Sequence, residues 1–180
     1  MNANTKEYLA ITASGEDRVG LVEQLTNQIT ATGCNIEQSR MGVLGGQFAL
    51  IMLLSGPWNA LSKLESQLPV MGEELGLAII HRRTQARKKG EALIPYQVEV
   101  VALDHPGIVH SLARFFARSG INIEALETDT YHAPHTGTPM FSVRMTVGVP
   151  AKMQISTLRD NFFTYCDDLN LDAVLEPARD

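Results

Sequence analysis

Residues 17–37 read DRVGLVEQLTNQITATGCNIE, and residues 104–124 read DHPGIVHSLARFFARSGINIE. Laid over one another without a gap, the stretches match Asp17 with Asp104, Gly20 with Gly107, Leu25 with Leu112 and Gly33 with Gly120. They end on Asn35-Ile36-Glu37 against Asn122-Ile123-Glu124. The offset is constant: 104 − 17 and 122 − 35 both give 87. A repeat of that length is far longer than a solenoid unit, so each copy should be a small domain with its own hydrophobic face.

Outward from the repeat, the hydrophobic period changes in the same order in both copies. Tyr8 to Ala13 and Tyr96 to Ala102 alternate and are rich in Val, Ile and Tyr, which predicts strands. Val22, Leu25 and Ile29, then Ile108, Leu112, Phe115 and Phe116, recur at helical spacing. Gly33 and Gly120 suit a helix C-terminal cap, where the backbone often needs a positive φ that glycine adopts cheaply. A second strand starts at Ile36 or Ile123, and a third lies in Phe48 to Leu54 or Met140 to Val149. Gly45-Gly46 predicts a tight hairpin between the first pair, whereas YHAPHTGTP predicts a longer irregular connection in the second. Second helices follow at Leu61, Leu64 and Leu68, which Pro69 should break or kink, and at Ile155, Leu158, Phe162 and Cys166. Short strands close each copy at Leu77 to His81 and Leu171 to Leu175. The order βαββαβ, used twice, predicts an α+β protein of two ferredoxin-like domains in tandem. Each would be an antiparallel sheet with both helices on one face, leaving the other face in need of a partner. The domains fall at 1–84 and 95–180, with a basic linker at 85–94.

The formal charge of −5, from 20 acidic and 15 basic residues, disfavours a surface built for nucleic-acid phosphates or anionic lipid. Within HRRTQARKKGEALIP, Arg82, Arg83, Arg87, Lys88 and Lys89 read as a solvated linker or as a docking point for an acidic partner. No apolar run is long enough to cross a bilayer, and MNANTKEYLAIT lacks the features of a secretion signal, so a cytoplasmic protein is expected. Cys34 and Cys166 lack metal-ligand or CxxC spacing and read as small buried hydrophobes. The histidines of HAPH, His132 and His135, do not have the i, i+4 geometry of a zinc site. Nucleophile-elbow, P-loop, dinucleotide and HExxH motifs are absent, so neither catalysis nor a cofactor is expected.

The stretches Asp17-Arg18-Val19-Gly20-Leu21-Val22 and Asp104-His105-Pro106-Gly107-Ile108-Val109 are each followed, beyond the helix, by Gly-x-Asn-Ile. In this the chain resembles the ACT family of small regulatory domains along nearly its whole length. Two such domains and little else, with HTGTPMFSV in the second, resemble the glycine cleavage system transcriptional repressor group. The resemblance implies a non-enzymatic, homo-oligomeric regulator that binds a small amino acid, glycine, and acts through a DNA-binding transcriptional activator. A regulatory or oligomerisation subunit of an amino-acid or folate enzyme is the alternative.

Carried over from the ACT family, the ligand sites fall at Asp17, Gly20 and Asn35 and at Asp104, Gly107 and Asn122. A helix N-terminus suits a carboxylate, Gly admits it close to the backbone, and Asn offers both a donor and an acceptor. The chain departs from many amino-acid binders in carrying Asp17 and Asp104 where they have a neutral Asn. An acid there favours a ligand ammonium, or alternatively caps its helix, with Pro106 in the first helical turn. Gly20 and Gly107 likewise serve either ligand approach or close packing of helix on sheet.

Overall fold

The computed structural model describes residues 6–85 and 92–178. The chain divides into two compact units, Met1–Lys88 and Lys89–Asp180. The first contains β1 (Glu7–Glu16), α1 (Leu21–Thr30), β2 (Asn35–Leu44), β3 (Gln47–Gly56), α2 (Trp58–Leu75) and β4 (Leu77–Thr84). The second contains β5 (Leu93–Leu103), α3 (Ile108–Arg118), β6 (Asn122–His132), β7 (Pro139–Pro150), α4 (Ile155–Asp168) and β8 (Asp172–Pro177). Both are βαββαβ units. Their antiparallel sheets run β2-β3-β1-β4 and β6-β7-β5-β8.

Alternation in β1 turns Leu9, Ile11 and Ala13 inward, where the α1 stripe of Leu21, Leu25 and Ile29 and the α2 stripe of Leu61, Leu64 and Leu68 meet them in one buried cluster. Both helices therefore cover the same sheet face. Each fully buried Leu or Ile contributes about 1.5–3 kcal/mol relative to exposure. In the second unit Val98, Val100 and Ala102 meet Ile108, Leu112 and Phe116 of α3 and Leu158, Phe162 and Cys166 of α4. Phe115, Phe116 and Phe162 stack there with ring centroids 5.2–5.4 Å apart. Cys34 and Cys166 are free and buried, in keeping with their reading as small hydrophobes.

Several expectations need correction. Pro69 does not break α2, which runs through it to Leu75. Its ring lies on the exposed side, while Leu61, Leu64, Leu68, Met71 and Leu75 bury the other side along both halves of the helix. That burial outweighs the roughly 3 kcal/mol an interior proline costs. Strand β4 continues to Thr84, so Arg82 and Arg83 belong to the sheet and not to a linker. Strand β5 starts at Leu93, which takes Leu93 and Ile94 out of the linker as well. Arg87, Lys88 and Lys89 lie outside the described residues.

The connection YHAPHTGTP is less irregular than expected. Tyr131, His132 and Pro139 lie in strands, with His132 opposite Pro139 at the last ladder position, where a missing N–H is tolerated. Only 133–138 form the loop, closed by the Ala133 N–H donating to the Thr138 carbonyl at 2.9 Å. The Gly45-Gly46 hairpin has φ of 58° and 77°, the pair of positive values that a two-residue hairpin requires.

Candidate functional site

Strand β1 delivers the chain into a four-residue turn, Asp17 to Gly20, before α1; β5 does the same through Asp104 to Gly107 before α3. Each turn is tied to a neighbouring hairpin by one backbone bond. The Asp17 N–H donates to the Gly46 carbonyl at 3.0 Å, and the Asp104 N–H to the Pro139 carbonyl at 3.1 Å. The capping expectation is corrected: the N-cap positions are Gly20 and Gly107, and neither helix has a side-chain cap. Pro106 precedes the N-cap and is not in the first helical turn.

Gly20 and Gly107 hold φ of 83° and 98°, a left-handed conformation that costs other residues about 1–2 kcal/mol. This conformation, and not tight packing, is what requires glycine. A Cβ on Gly107 would meet nothing within 4 Å, and one on Gly20 only the Gln24 amide nitrogen at 3.6 Å. The space above both glycines is open. Beneath it, leading helix N–H groups without side-chain acceptors carry the partial positive charge of the helix end.

The two turns differ in their walls. Arg18 Nη2 donates to Gln24 Oε1 at 2.9 Å, folding Arg18 back over the first turn of α1. His105 turns its Nδ1 to the Pro106 carbonyl at 3.1 Å. In the second unit, residues 104–110 and Phe141 line a depression of ≈ 470 Å³. Phe141 pairs with Ala102 in the β5–β7 ladder, and its half-buried ring gives this site an apolar wall that sequence reasoning missed. Sequence spacing could not signal it, because it arrives from a different strand.

Asn35 and Asn122 stand elsewhere. Within either unit the structure does not bring them to the turns. Strand β2 is antiparallel to β3 and therefore parallel to β1, so both begin at the same end of the sheet. Asn35 lies opposite Ser55, which faces Tyr8; Asn122 lies opposite Gly148, which faces Pro95. From Tyr8 to Asp17 and from Pro95 to Asp104 is nine residues (17 − 8 and 104 − 95), about 30 Å of strand and turn. No single amino acid spans that distance.

Asn35 instead serves Glu37. Asn35 Nδ2 donates to Glu37 Oε1 at 3.1 Å, the Ser55 hydroxyl donates to the same oxygen at 2.5 Å, and Lys6 Nζ is 2.8 Å from it. The Lys6, Ser55 and Asn35 hydrogen bonds together push the Glu37 carboxyl down to about 2, and Glu37 raises Lys6 in return. In the second unit the Glu124 carboxylate leans over Gly148: a Cβ there would lie 3.1 Å from its Oε1. The repeated Asn-Ile-Glu held the signal for this acid, but the sequence reading used only its first residue.

A second polar cluster lies in the first unit. Arg83 Nε and Nη2 donate to the two oxygens of Glu65 at 2.8 Å each, Nη1 to Glu7 at 2.7 Å and Nη2 to the Ser62 hydroxyl at 3.0 Å. It joins β1, α2 and β4 beside a ≈ 500 Å³ depression walled by Trp58. Its counterpart by strand register is Pro177: Arg83 faces Leu9, and Pro177 faces Tyr96. Among the described residues, no three His, Cys, Asp or Glu side chains are grouped to hold a metal ion. Among them, too, no helix is long and apolar enough to cross a membrane.

Two βαββαβ units, each with a glycine-led helix terminus after its first strand, define a tandem ACT-domain protein. A family model described as the ACT domain matches residues 7–81. The chain is 36 % identical over 170 residues to the glycine cleavage system transcriptional repressor of Escherichia coli K12, covering 94 % of this chain and 90 % of that one. The repressor of the same description from Shigella flexneri matches equally. Among solved structures, one described provisionally as such a repressor superposes with a TM-score of 0.74 at 26 % identity, over 98 % of this chain and 99 % of that one. An unknown protein from Galdieria sulphuraria superposes with a TM-score of 0.77 at 29 % identity, over 97 % and 99 %. The chain belongs to the family of glycine cleavage system transcriptional repressors.

Proposed function

We propose that this chain is a cytoplasmic, amino-acid-responsive repressor of glycine cleavage genes that acts on a DNA-bound activator and not on the operator itself. The carrying observation is the pair of helix ends without a side-chain cap, led by Gly20 and Gly107 with open space above them and each preceded in its turn by an exposed acid, Asp17 or Asp104. A zwitterionic amino acid matches it. Its carboxylate takes the helix N–H groups, and its ammonium takes the Asp carboxylate. A small side chain suits the shallow second-unit depression walled by Phe141. Asn35 and Asn122 stand at the opposite end of each sheet from the turn.

The net charge of −5 supports action through a protein partner, since operator binding relies on neutralising phosphates. Family membership supports the repressor role. A genetic system that degrades an amino acid should be silent when that amino acid is scarce, so the ligand should weaken the repressor–activator complex. It can do so only by binding one state better than the other, and a coupling of about 1–3 kcal/mol changes affinity roughly 5–150-fold.

A reporter driven by a glycine cleavage promoter, in cells lacking the native repressor gene, tests this reading. The chain should repress the reporter, and added glycine should relieve that repression. The double substitution Asp17→Ala, Asp104→Ala should still repress but no longer respond to glycine. A reporter indifferent to the chain would refute the proposal.

A further inference from the structure

The chain leaves its single tryptophan in water. Trp58 opens α2 and is 65 % exposed, although an indole is among the largest apolar groups a fold can bury. It walls the ≈ 500 Å³ depression whose other sides include Tyr8, Ser62 and the Arg83 cluster.

The charge of that depression is set by its own network. Glu7 and Glu65 bring two negative charges and Arg83 one positive, so the wall carries a net charge of −1 (1 − 2). Arg83 directs Nε, Nη1 and Nη2 at these acids and at Ser62, which commits its fork to the wall itself. Glu7 meets Arg83 with Oε2, and its side chain is the more exposed of the two acids, 39 % against 24 %. Lys6, a neighbouring cation, is held 2.8 Å from Glu37, and its Nζ lies over the Tyr8 ring at 5.7 Å from the centroid. A cation on an aromatic face is thus a contact this corner already makes.

The topology does not demand these residues. At the constant offset of 87, Glu7 and Tyr8 become Ile94 and Pro95, and Pro177 stands at the register position of Arg83. The second copy builds the same strands with apolar residues at all three positions.

We propose that the Trp58 depression is a docking site for an arginine side chain presented by a partner protein. The guanidinium stacks on the indole and donates to the Glu7 carboxylate, neutralising the residual charge of the wall. Arginine suits it better than lysine, because its planar group is weakly hydrated and stacks on aromatic faces. A protein supplies it, and not a free metabolite, because the depression is open: one exposed cation–π contact and one exposed ion pair hold a small molecule only feebly. Within a larger interface the same pair acts as an anchor, a role in which tryptophan and arginine are enriched. The corner lies at the opposite end of β1 from the Asp17 turn, so it is separate from that turn.

With one tryptophan in the chain, intrinsic fluorescence reports on this corner alone. Titrating the full chain with a blocked triarginine peptide at millimolar concentrations should quench or shift the emission saturably, and blocked triglutamate should not. Blocked trilysine should bind about twofold to fivefold more weakly. Glu7→Gln should weaken triarginine binding by at least about threefold, with an unchanged circular dichroism spectrum. The double substitution Glu99→Gln, Glu127→Gln in the second unit should leave the titration as it is. No saturable change with triarginine overturns the proposal. An equal affinity for trilysine, or equal weakening by the second-unit substitutions, reports diffuse attraction to an acidic chain and overturns it as well. Free arginine saturating the signal at micromolar concentration would make this a metabolite site and overturn the partner assignment.

Discussion

At the scale of single residues, the two candidate roles of Asp17 and Asp104 separate cleanly. Because glycine occupies the N-cap in both units, neither acid supports its helix, and both are exposed. Asp17→Ala and Asp104→Ala should each change unfolding free energy in urea by less than about 0.5 kcal/mol, the range for surface positions. Gly107→Ala should lose about 1 kcal/mol, although nothing crowds its Cβ, since the cost lies in the positive φ alone. Glu37 is a different kind of acid. Its carboxyl lies at about 2 in the folded chain, mainly through Lys6, against an unfolded value near 4.5. A depressed carboxyl adds stability that is present above the unfolded value and lost as pH falls toward the folded one. The stability advantage of the native chain over Glu37→Gln should therefore be full at pH 6 and shrink steadily between about pH 4.5 and pH 2. Burial, with Asp167 adding to it, pushes the Cys166 thiol up to about 12, so it should resist thiol reagents at pH 8 until the protein is unfolded.

At the scale of elements, Arg83 ties β4 to its neighbour β1 and to α2. Its planar fork meets both Glu65 oxygens and still reaches Glu7 and Ser62, a geometry that the point charge of lysine cannot reproduce. With the Arg83 side chain 30 % exposed, solvent screens part of the gain. Arg83→Ala should cost about 1–2 kcal/mol in chemical denaturation, and Arg83→Lys should recover less than half of it. This cluster was not legible in the sequence. Arg83 sits in a run of basic residues that reads as linker, and its partners lie 18, 21 and 76 positions away. By contrast, the order and kind of elements were legible, because period-2 and period-3.6 patterns each report a local geometry. Pro69 shows the limit of such local signals. An interior proline predicts a break or a kink, and the break does not occur, because the leucine stripe on both sides of it keeps α2 continuous.

At the scale of the whole molecule, the repeat was the most legible feature, since a gapless offset of 87 residues predicts two copies of one unit whatever that unit is. The candidate site was only partly legible. The sequence marks the glycine-led turns, because a left-handed N-cap demands a specific residue. It does not mark which end of the sheet Asn35 occupies. That follows from topology: a crossover through α1 makes β2 run parallel to β1, which puts the start of β2 one strand length from the turn. Nor does the repeat disclose where the copies diverge, at the corner walled by Trp58 and in the walls of the two turns. Those differences imply that the two helix ends need not bind the ligand equally, with Phe141 and His105 on one side and Arg18 and Val19 on the other.

The central claim is that a small amino acid binds at these helix ends, and isothermal calorimetry with glycine on the purified full chain tests it most directly. The account predicts saturable heat, at one or two sites per chain, with affinity at least about tenfold weaker in the folded double variant Asp17→Ala, Asp104→Ala. Absence of both heat and thermal stabilisation, with glycine and every other amino acid at millimolar concentration, would contradict it.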